Sequence, residues 1–232
     1  MVNKKDDIYI SNEGVEWRVL EYLNSKNITV TNKFGEIKKI EKKQLKNIKS
    51  IYFKNINGIG FKGCIDCNVN SLSYSKWMDM IKRCYGKKTK TKNITYLNVS
   101  VCNEWHNYSN FRDWFDKHYV KGWDLDKDLL GGKIYSPKTC CFLPHDINTF
   151  LANKQYNNTT GYPGLSFLRG KFQVTLKKYG KPVYVGIYGS KKEAYSAYCI
   201  EREKYAKELA TKWKDKLDKD IYLKIYNYKE ML

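Results

Sequence analysis

The chain has 232 residues and carries 43 Lys and Arg against 24 Asp and Glu, a formal net charge of +19 at pH 7. Its hydrophobic content of 42% excludes wholesale disorder and allows two or three small folded modules. The positive charge is spread along the whole chain, which favours a polyanion such as nucleic acid as partner; a generically basic protein is the alternative.

Hydropathy and cysteine content bear on location. No stretch of 18 apolar residues occurs, so we expect no membrane-spanning helix and no membrane partner. The start, Met1 to Asp7, has no apolar run after its lysines and is not typical of a signal peptide. Seven cysteines is an odd number for a disulfide framework, and free thiols are the simpler account. A cytoplasmic location is therefore predicted.

The first part of the chain predicts short strands. Polar and Gly-containing turns, such as residues 32–35, separate several β-rich segments. These segments are Ile8 to Ile10, Val15 to Leu20, Ile28 to Val30 and Ile48 to Phe53. Short strands at this spacing favour a small β barrel in an N-terminal module of residues 1–63.

The middle of the chain changes to a helical period. Apolar side chains in residues 71–85 recur at three- and four-residue steps, which predicts a helix with Ser73 or Ser75 as its N-cap. A basic loop follows at residues 86–92 and would add phosphate contacts. A second helix is predicted over residues 103–119.

The last part of the chain follows a polar linker at residues 153–160 and alternates between apolar and polar side chains. Phe172, Val174 and Leu176 form one face of a predicted strand, and a second strand from Val183 to Ile187 continues the alternation. These segments predict a sheet with one apolar face.

A long helix is predicted to cover that apolar face. Ser190 and Glu193 have the spacing of a capping box, which marks the start of a helix. The predicted C-terminal module, residues 160–232, is therefore a three-stranded antiparallel sheet packed on one helix, with a helical extension at its C-terminal end. The fold class predicted for the whole chain is α+β.

The other face of this sheet is the candidate DNA-binding surface. Cations on a free sheet face can hold phosphates, while Gln, Thr and Tyr can reach base edges in the major groove. The candidate DNA-binding residues are Ser166, Arg169, Lys171, Gln173, Thr175, Lys177, Lys181 and Tyr184.

Four segments of this module together resemble the ethylene-response-factor DNA-binding domain. They are Gly164-Leu165-Ser166, Gly170-Lys171-Phe172, Val183-Tyr184-Val185-Gly186-Ile187-Tyr188 and Glu193-Ala194-Tyr195-Ser196-Ala197-Tyr198. The resemblance implies that the exposed sheet face grips the major groove of duplex DNA. This chain has Ser166 where the family usually has Arg, and Tyr184 where it usually has Trp. Charge alone leaves RNA open as a partner, and the resemblance favours duplex DNA.

The central module, residues 70–152, resembles a degenerate HNH (ββα-metal) nuclease of the kind that phages encode. The segments that carry the resemblance are Leu125 to Leu130, Gly131 to Pro137 and Cys140 to Asn148. The resemblance places Asp126 at the acidic position, Lys127 where a general-base His is expected, and Asn148 at the closing position on the helix.

Lysine at the position of the general base argues against the nuclease reaction of this family, in which a His takes a proton from water. With an ordinary pKa of about 10.4 it stays protonated at neutral pH and cannot take a proton from water. His145 lies nearby in the sequence and is the candidate to replace the missing general base. The catalytic candidates are Asp126, Asp128, His145 and Asn148, with Asp126 and Asp128 as ligands for Mg²⁺.

The cysteine pattern gives half of a zinc site. Cys64 and Cys67 form a C-x-x-C, and no second C-x-x-C exists. Free thiols buried in the core are therefore the favoured interpretation, and a structural zinc is not expected.

Three functions follow from these patterns. The first is a phage-type DNA-binding protein whose HNH-like centre is inactive and which needs no cofactor to bind. The second is an active, Mg²⁺-dependent homing-type endonuclease. The third is a phage regulatory or counter-defence protein that binds a host nuclease or nucleoprotein in the bacterial cytoplasm. All three leave the oligomeric state open.

Overall fold

A computed structural model describes residues 4–54, 56–86, 98–152 and 160–230. Most of the predicted basic loop at 86–92 and of the predicted linker at 153–160 lies outside these residues. The chain forms two compact units. The first contains residues 1–118 and 133–137, and the second contains residues 119–132 and 138–232.

The first unit begins with a four-stranded antiparallel sheet in the order β1-β2-β3-β4. Its strands are β1 Ile8–Ile10, β2 Glu16–Asn24, β3 Asn27–Asn32 and β4 Ile37–Ile40. Alternate residues of β2 and β3, among them Trp17, Val19, Ile28 and Val30, are fully buried because they face the core of this sheet.

The predicted barrel is wrong, because this sheet is open. The strand β1 pairs with β2, the strand β4 pairs with β3, and the two outer strands do not pair with each other. The predicted strand at Ile48 to Phe53 is also wrong, since these residues form a turn after a 3₁₀ helix at Lys42–Asn47. Its place as fourth strand is taken by Ile37–Ile40, a segment that the sequence did not mark.

Helices and a short parallel sheet complete the first unit. Its further elements are α1 Leu72–Tyr85, β5 Ser100–Val101, a 3₁₀ helix Asn103–His106, α2 Tyr108–His118 and β7 Ile134–Tyr135, which pairs with β5. The N-cap of α1 is Ser71, whose hydroxyl accepts a hydrogen bond from the Tyr74 backbone N–H. The predicted caps are wrong because both Ser73 and Ser75 lie inside the helix, where Ser73 contacts the Tyr108 hydroxyl.

The second unit contains two antiparallel sheets, each of which is followed by a helix. Its elements are β6 Trp123–Asp126, β8 Cys141–Pro144, α3 His145–Ala152, β9 Leu165–Leu168, β10 Lys171–Lys178, β11 Lys181–Tyr188, α4 Lys191–Lys212 and α5 Lys219–Tyr226. The pair β6 and β8 is antiparallel and leads directly into α3. The strands β9, β10 and β11 form an antiparallel sheet that packs on α4, which confirms the predicted C-terminal sheet and helix.

The capping box at the start of α4 is also confirmed. The Ser190 hydroxyl accepts from the Glu193 backbone N–H, and the Glu193 carboxylate accepts from the Ser190 backbone N–H. One tight approach precedes the sheet at Gly164, where φ is +71° and a Cβ would lie 2.4 Å from the Tyr198 ring. Only glycine combines this backbone conformation with that contact.

One hydrophobic core is shared by two parts of the second unit, the β6–β8–α3 arrangement and the C-terminal sheet with α4. Leu143, Ile147 and Phe150 of the β6–β8–α3 arrangement share this core with Val174 of β10 and Leu209 of α4. This division differs from the predicted modules 70–152 and 160–232, since the β6–β8–α3 segment belongs with the C-terminal sheet.

Two further expectations can be compared with the structure. In the part of the chain that is described, no helix is long and apolar enough to cross a membrane.

Cys64 and Cys67 form a disulfide, with Cα atoms 5.7 Å apart. The expectation that all cysteines are free thiols is therefore wrong for this pair, while Cys102, Cys141 and Cys199 are free.

Candidate nucleic-acid interface

The register of the C-terminal sheet decides which side chains share a face. Gln173 in β10 lies opposite Ser166 in β9 and Ile187 in β11, and Thr175 lies opposite Tyr184. Residues directly opposite each other point to the same side of a sheet. Their neighbours Val174 and Leu176 point to the other side and are buried in the core.

Six of the predicted DNA-binding side chains therefore lie on one side of the sheet, away from α4. We call this surface the outer face. By strand register it comprises Ser166, Leu168, Lys171, Gln173, Thr175, Lys177, Pro182, Tyr184 and Ile187. Arg169 lies in the β9–β10 turn at one end of this face. Lys181 is the first residue of β11 and lies opposite Lys178, so strand register places it on the other side of the sheet.

A β-bulge changes which residues of β11 reach the outer face. Val174 pairs with Gly186 but Thr175 pairs with Tyr184, so Val185 is an extra residue without an opposite partner. The bulge turns Ile187 outward, and 51% of its surface is exposed. The predicted alternation from Val183 through Val185 to Ile187 is therefore wrong at Ile187.

The two hairpins have matching tight turns. The loops are Arg169-Gly170 and Tyr179-Gly180, and all four residues have positive φ, from 49° to 78°. Two-residue loops with this conformation match the right-handed twist of the flanking strands. The first turn places Arg169 at the end of the outer face, where its guanidinium is exposed.

The cations of this surface are not neutralised by neighbouring acids. Within the described ranges, Lys171 and Lys177 form no ion pair. Lys178, which points to the opposite side of β10, is held by Glu201 at 2.8 Å and Glu208 at 3.1 Å. Along β10, the inward-facing Lys178 is therefore charge-compensated, whereas Lys171 and Lys177 on the outer face are not.

The sequence around the sheet explains this asymmetry. From residue 147 to residue 192 the chain contains no Asp or Glu and eight Lys or Arg. All acidic partners on the inner side come from α4. A surface with this charge attracts a polyanion through release of its counterions, and the Gln, Thr and Tyr side chains supply hydrogen-bonding groups between the cations.

A second group of polar side chains lies in the β6–β8–α3 arrangement. Asp124 in β6 accepts a hydrogen bond from Nδ1 of His145 at 2.7 Å and one from Nδ2 of Asn148 at 3.3 Å. Nε2 of His145 lies 3.5 Å from the Thr149 hydroxyl. The structure thus brings together two predicted residues, His145 and Asn148, around a carboxylate that the sequence analysis missed.

The other two catalytic candidates lie apart from this group. Asp126 is only 5% exposed, and its carboxylate accepts from the Leu129 backbone N–H at 2.8 Å. Burial raises the pKa of this carboxyl. The exposed Asp128 carboxylate pairs with Nζ of Lys127, which also donates to the Gly132 carbonyl at 2.9 Å. Lys127 therefore holds the loop that follows β6.

Asp126 and Asp128 do not fit a shared Mg²⁺ site. One carboxylate is buried against backbone, and the other faces solvent beside a lysine ammonium. Among the residues with described positions, no three His, Cys, Asp or Glu side chains are grouped so that they could hold a metal ion. Magnesium binding needs oxygen ligands that converge, which this pair does not supply.

Comparison with known proteins identifies no relative of this chain. No family model, no curated protein and no solved structure matches the chain.

Proposed function

We propose that the protein binds duplex DNA through the outer face of its C-terminal sheet. The observation that carries the proposal is the concentration of unpaired cations and hydrogen-bonding side chains on this one face. Lys171 and Lys177 would contact phosphates, and Gln173, Thr175 and Tyr184 would face the base edges. Binding by this surface needs no cofactor.

The small size of the sheet supports a groove as its target. Its three antiparallel strands are four to eight residues long, and β-ribbons and small sheets are among the elements that enter the major groove. The exposed apolar side chains Leu168 and Ile187 on the same face can contact the methyl groups of thymine.

The proposal is tested by measuring binding to random-sequence duplex DNA by fluorescence anisotropy over a salt series. The variant Lys171→Ala/Lys177→Ala removes two proposed phosphate contacts, and we expect the slope of log K against log salt to fall by about 1.8. The matched control is Lys214→Ala/Lys219→Ala, which removes the same charge from exposed positions outside the sheet. Equal weakening in both variants would mean that net charge, and not this face, determines binding.

Cleavage of the bound DNA is a second candidate, favoured by the Asp124–His145 pair. A carboxylate that holds one imidazole nitrogen leaves the other nitrogen available for proton transfer. The test is incubation with supercoiled DNA, with and without Mg²⁺, for the native protein and His145→Ala. Fragments that vanish in the variant would support an enzyme, and intact DNA throughout would leave binding as the activity.

A further inference from the structure

The disulfide between Cys64 and Cys67 lies in a surface loop of the first unit, before α1. Both cysteines are partly exposed, and the two residues between them are exposed. The bond spans a sequence separation of only 3, so it restricts the unfolded chain less than a long-range cross-link does. Both of its ends also belong to the same loop. A structural role therefore does not account for this disulfide.

The loop is held against the start of α2. The first two backbone N–H groups of α2 donate to the carbonyls of Phe61 and Lys62, at 2.9 and 3.1 Å. Gly63 follows with φ of +69°, and a Cβ there would lie 1.8 Å from the side-chain oxygen of Asn107. Only glycine combines this backbone conformation with that contact. The segment that leads into Cys64 is therefore fixed relative to α2.

This fixed position brings a cation to the sulfur of Cys64. Nη1 of Arg112, which lies one turn into α2, is 3.8 Å from Sγ of Cys64. Nε and Nη2 of the same guanidinium donate to the Asp113 carboxylate at 3.3 and 3.1 Å, which leaves Nη1 for the sulfur. A neighbouring guanidinium stabilises a thiolate, which is the reactive form of cysteine.

The sulfur of Cys67 has different neighbours. It lies 3.3 Å from the Cys64 carbonyl and 3.9 Å from the Lys62 carbonyl. Carbonyl oxygens accept from a thiol and repel a thiolate. The Lys62 carbonyl also lies 3.6 Å from Sγ of Cys64, but there the guanidinium opposes its effect. In the reduced pair, the negative charge is therefore more stable on Cys64 than on Cys67.

We propose that Cys64 and Cys67 form a redox-active pair that exchanges with dithiol reductants. A thiolate of the dithiol attacks Sγ of Cys67, the bond between the two cysteines breaks, and its electron pair leaves on Sγ of Cys64 beside Arg112. The second sulfur of the dithiol, once deprotonated, attacks the first in the mixed disulfide and releases Cys67. The dithiol is thereby oxidised by two electrons to a disulfide. Of the two protons that it loses, Cys67 takes one and solvent takes the other.

The inference does not rest on the proposed DNA binding, and it is tested on the full-length protein. Equilibration with reduced and oxidised dithiothreitol, followed by acid quenching, alkylation and peptide mass spectrometry, gives the equilibrium constant for reduction of the pair. At pH 7 we expect Arg112→Gln to lower this constant about fivefold, as for the loss of one partly exposed ion pair. The matched control Arg18→Gln removes the same charge from an exposed position in β2 and should leave the constant unchanged.

Alkylation of the reduced protein tests which sulfur carries the charge. With limiting iodoacetamide at pH 6, Cys64 should be labelled before Cys67. It should also be labelled before Cys102, because burial raises the pKa of the Cys102 thiol. Thermal unfolding of the reduced variants controls for a damaged fold. The inference is overturned if Arg112→Gln and the native protein have the same reduction constant, or if Cys67 of the native protein is labelled as fast as Cys64.

Discussion

At the scale of single residues, the guanidinium of Arg202 shows how the second unit secures its C-terminal segment. It donates to the Glu230 carboxylate at 2.7 Å and to the Phe150 carbonyl at 2.8 Å, and both charged side chains are about 97–98% buried. The Tyr228 hydroxyl donates to the same carboxylate. The pair therefore links α4, α3 and the last described residues.

Removal of one partner should leave a buried charge without compensation. We expect Glu230→Ala to lower the free energy of unfolding by about 3 to 5 kcal/mol, measured by urea denaturation. The control is Glu203→Ala, since Glu203 pairs with the exposed Lys229 and such a pair contributes less than about 1 kcal/mol. Similar small losses in both variants would contradict the structural role of Arg202.

Asp126 gives a pH-dependent prediction. Burial raises the pKa of its carboxyl above the ordinary value of 3.8, so the folded state holds the proton more tightly than the unfolded state does. Stability from this group is then lost as pH rises through the folded-state pKa. We expect Asp126→Asn to be more stable than the native protein at pH 7, with the difference vanishing near pH 3, by urea denaturation at both values. A variant that is less stable at pH 7 would contradict this account.

The residues of the interface could be predicted in part. Alternation within β10 is a local pattern, so the common side of Gln173, Thr175 and Lys177 was predicted from sequence. Asp124 was missed because its partner His145 lies 21 residues further along the chain. No local pattern marks a contact that forms only when β6 and β8 pair.

At the scale of elements, α4 depends on its N-terminal cap. The capping box at Ser190 and Glu193 satisfies backbone N–H groups that have no partner within the helix. We expect Ser190→Ala to reduce the free energy of unfolding by about 1 kcal/mol. Ser196→Ala, at an exposed position inside the same helix, should change it by no more than a few tenths of a kcal/mol. Thermal unfolding of both variants checks this, and equal stabilities would contradict the role of the cap.

The start of α4 is a local signal and was predicted, whereas the bulge at Val185 and the open N-terminal sheet depend on strand pairing and were not predicted. The helix α4 has its start signal within four residues of the sequence. The bulge at Val185 depends on which residues of β10 lie opposite it, and the openness of the N-terminal sheet depends on whether β1 and β4 meet. The apolar periodicity within one strand shows neither where a bulge forms nor whether two outer strands pair.

At the scale of the whole molecule, the net charge says less about where a polyanion binds than the positions of the unpaired charged side chains do. The formal charge of +19 is spread along the chain, yet Glu201 and Glu208 of α4 neutralise Lys178 on the inner side of the C-terminal sheet, while Lys171 and Lys177 stay unpaired among the described residues on the outer face. From this placement of charge we propose that DNA lies on the outer face.

Site-specific photo-crosslinking tests that claim most directly. A benzoylphenylalanine replaces Tyr184, which is 60% exposed on the outer face, or Ile200, which is 55% exposed on α4. Each protein is irradiated with labelled duplex DNA at a concentration that gives equal binding. The account predicts a crosslinked product from position 184 and none from position 200. Crosslinking from position 200 and not from position 184 would contradict it, because the DNA would then lie on the helix side of the sheet.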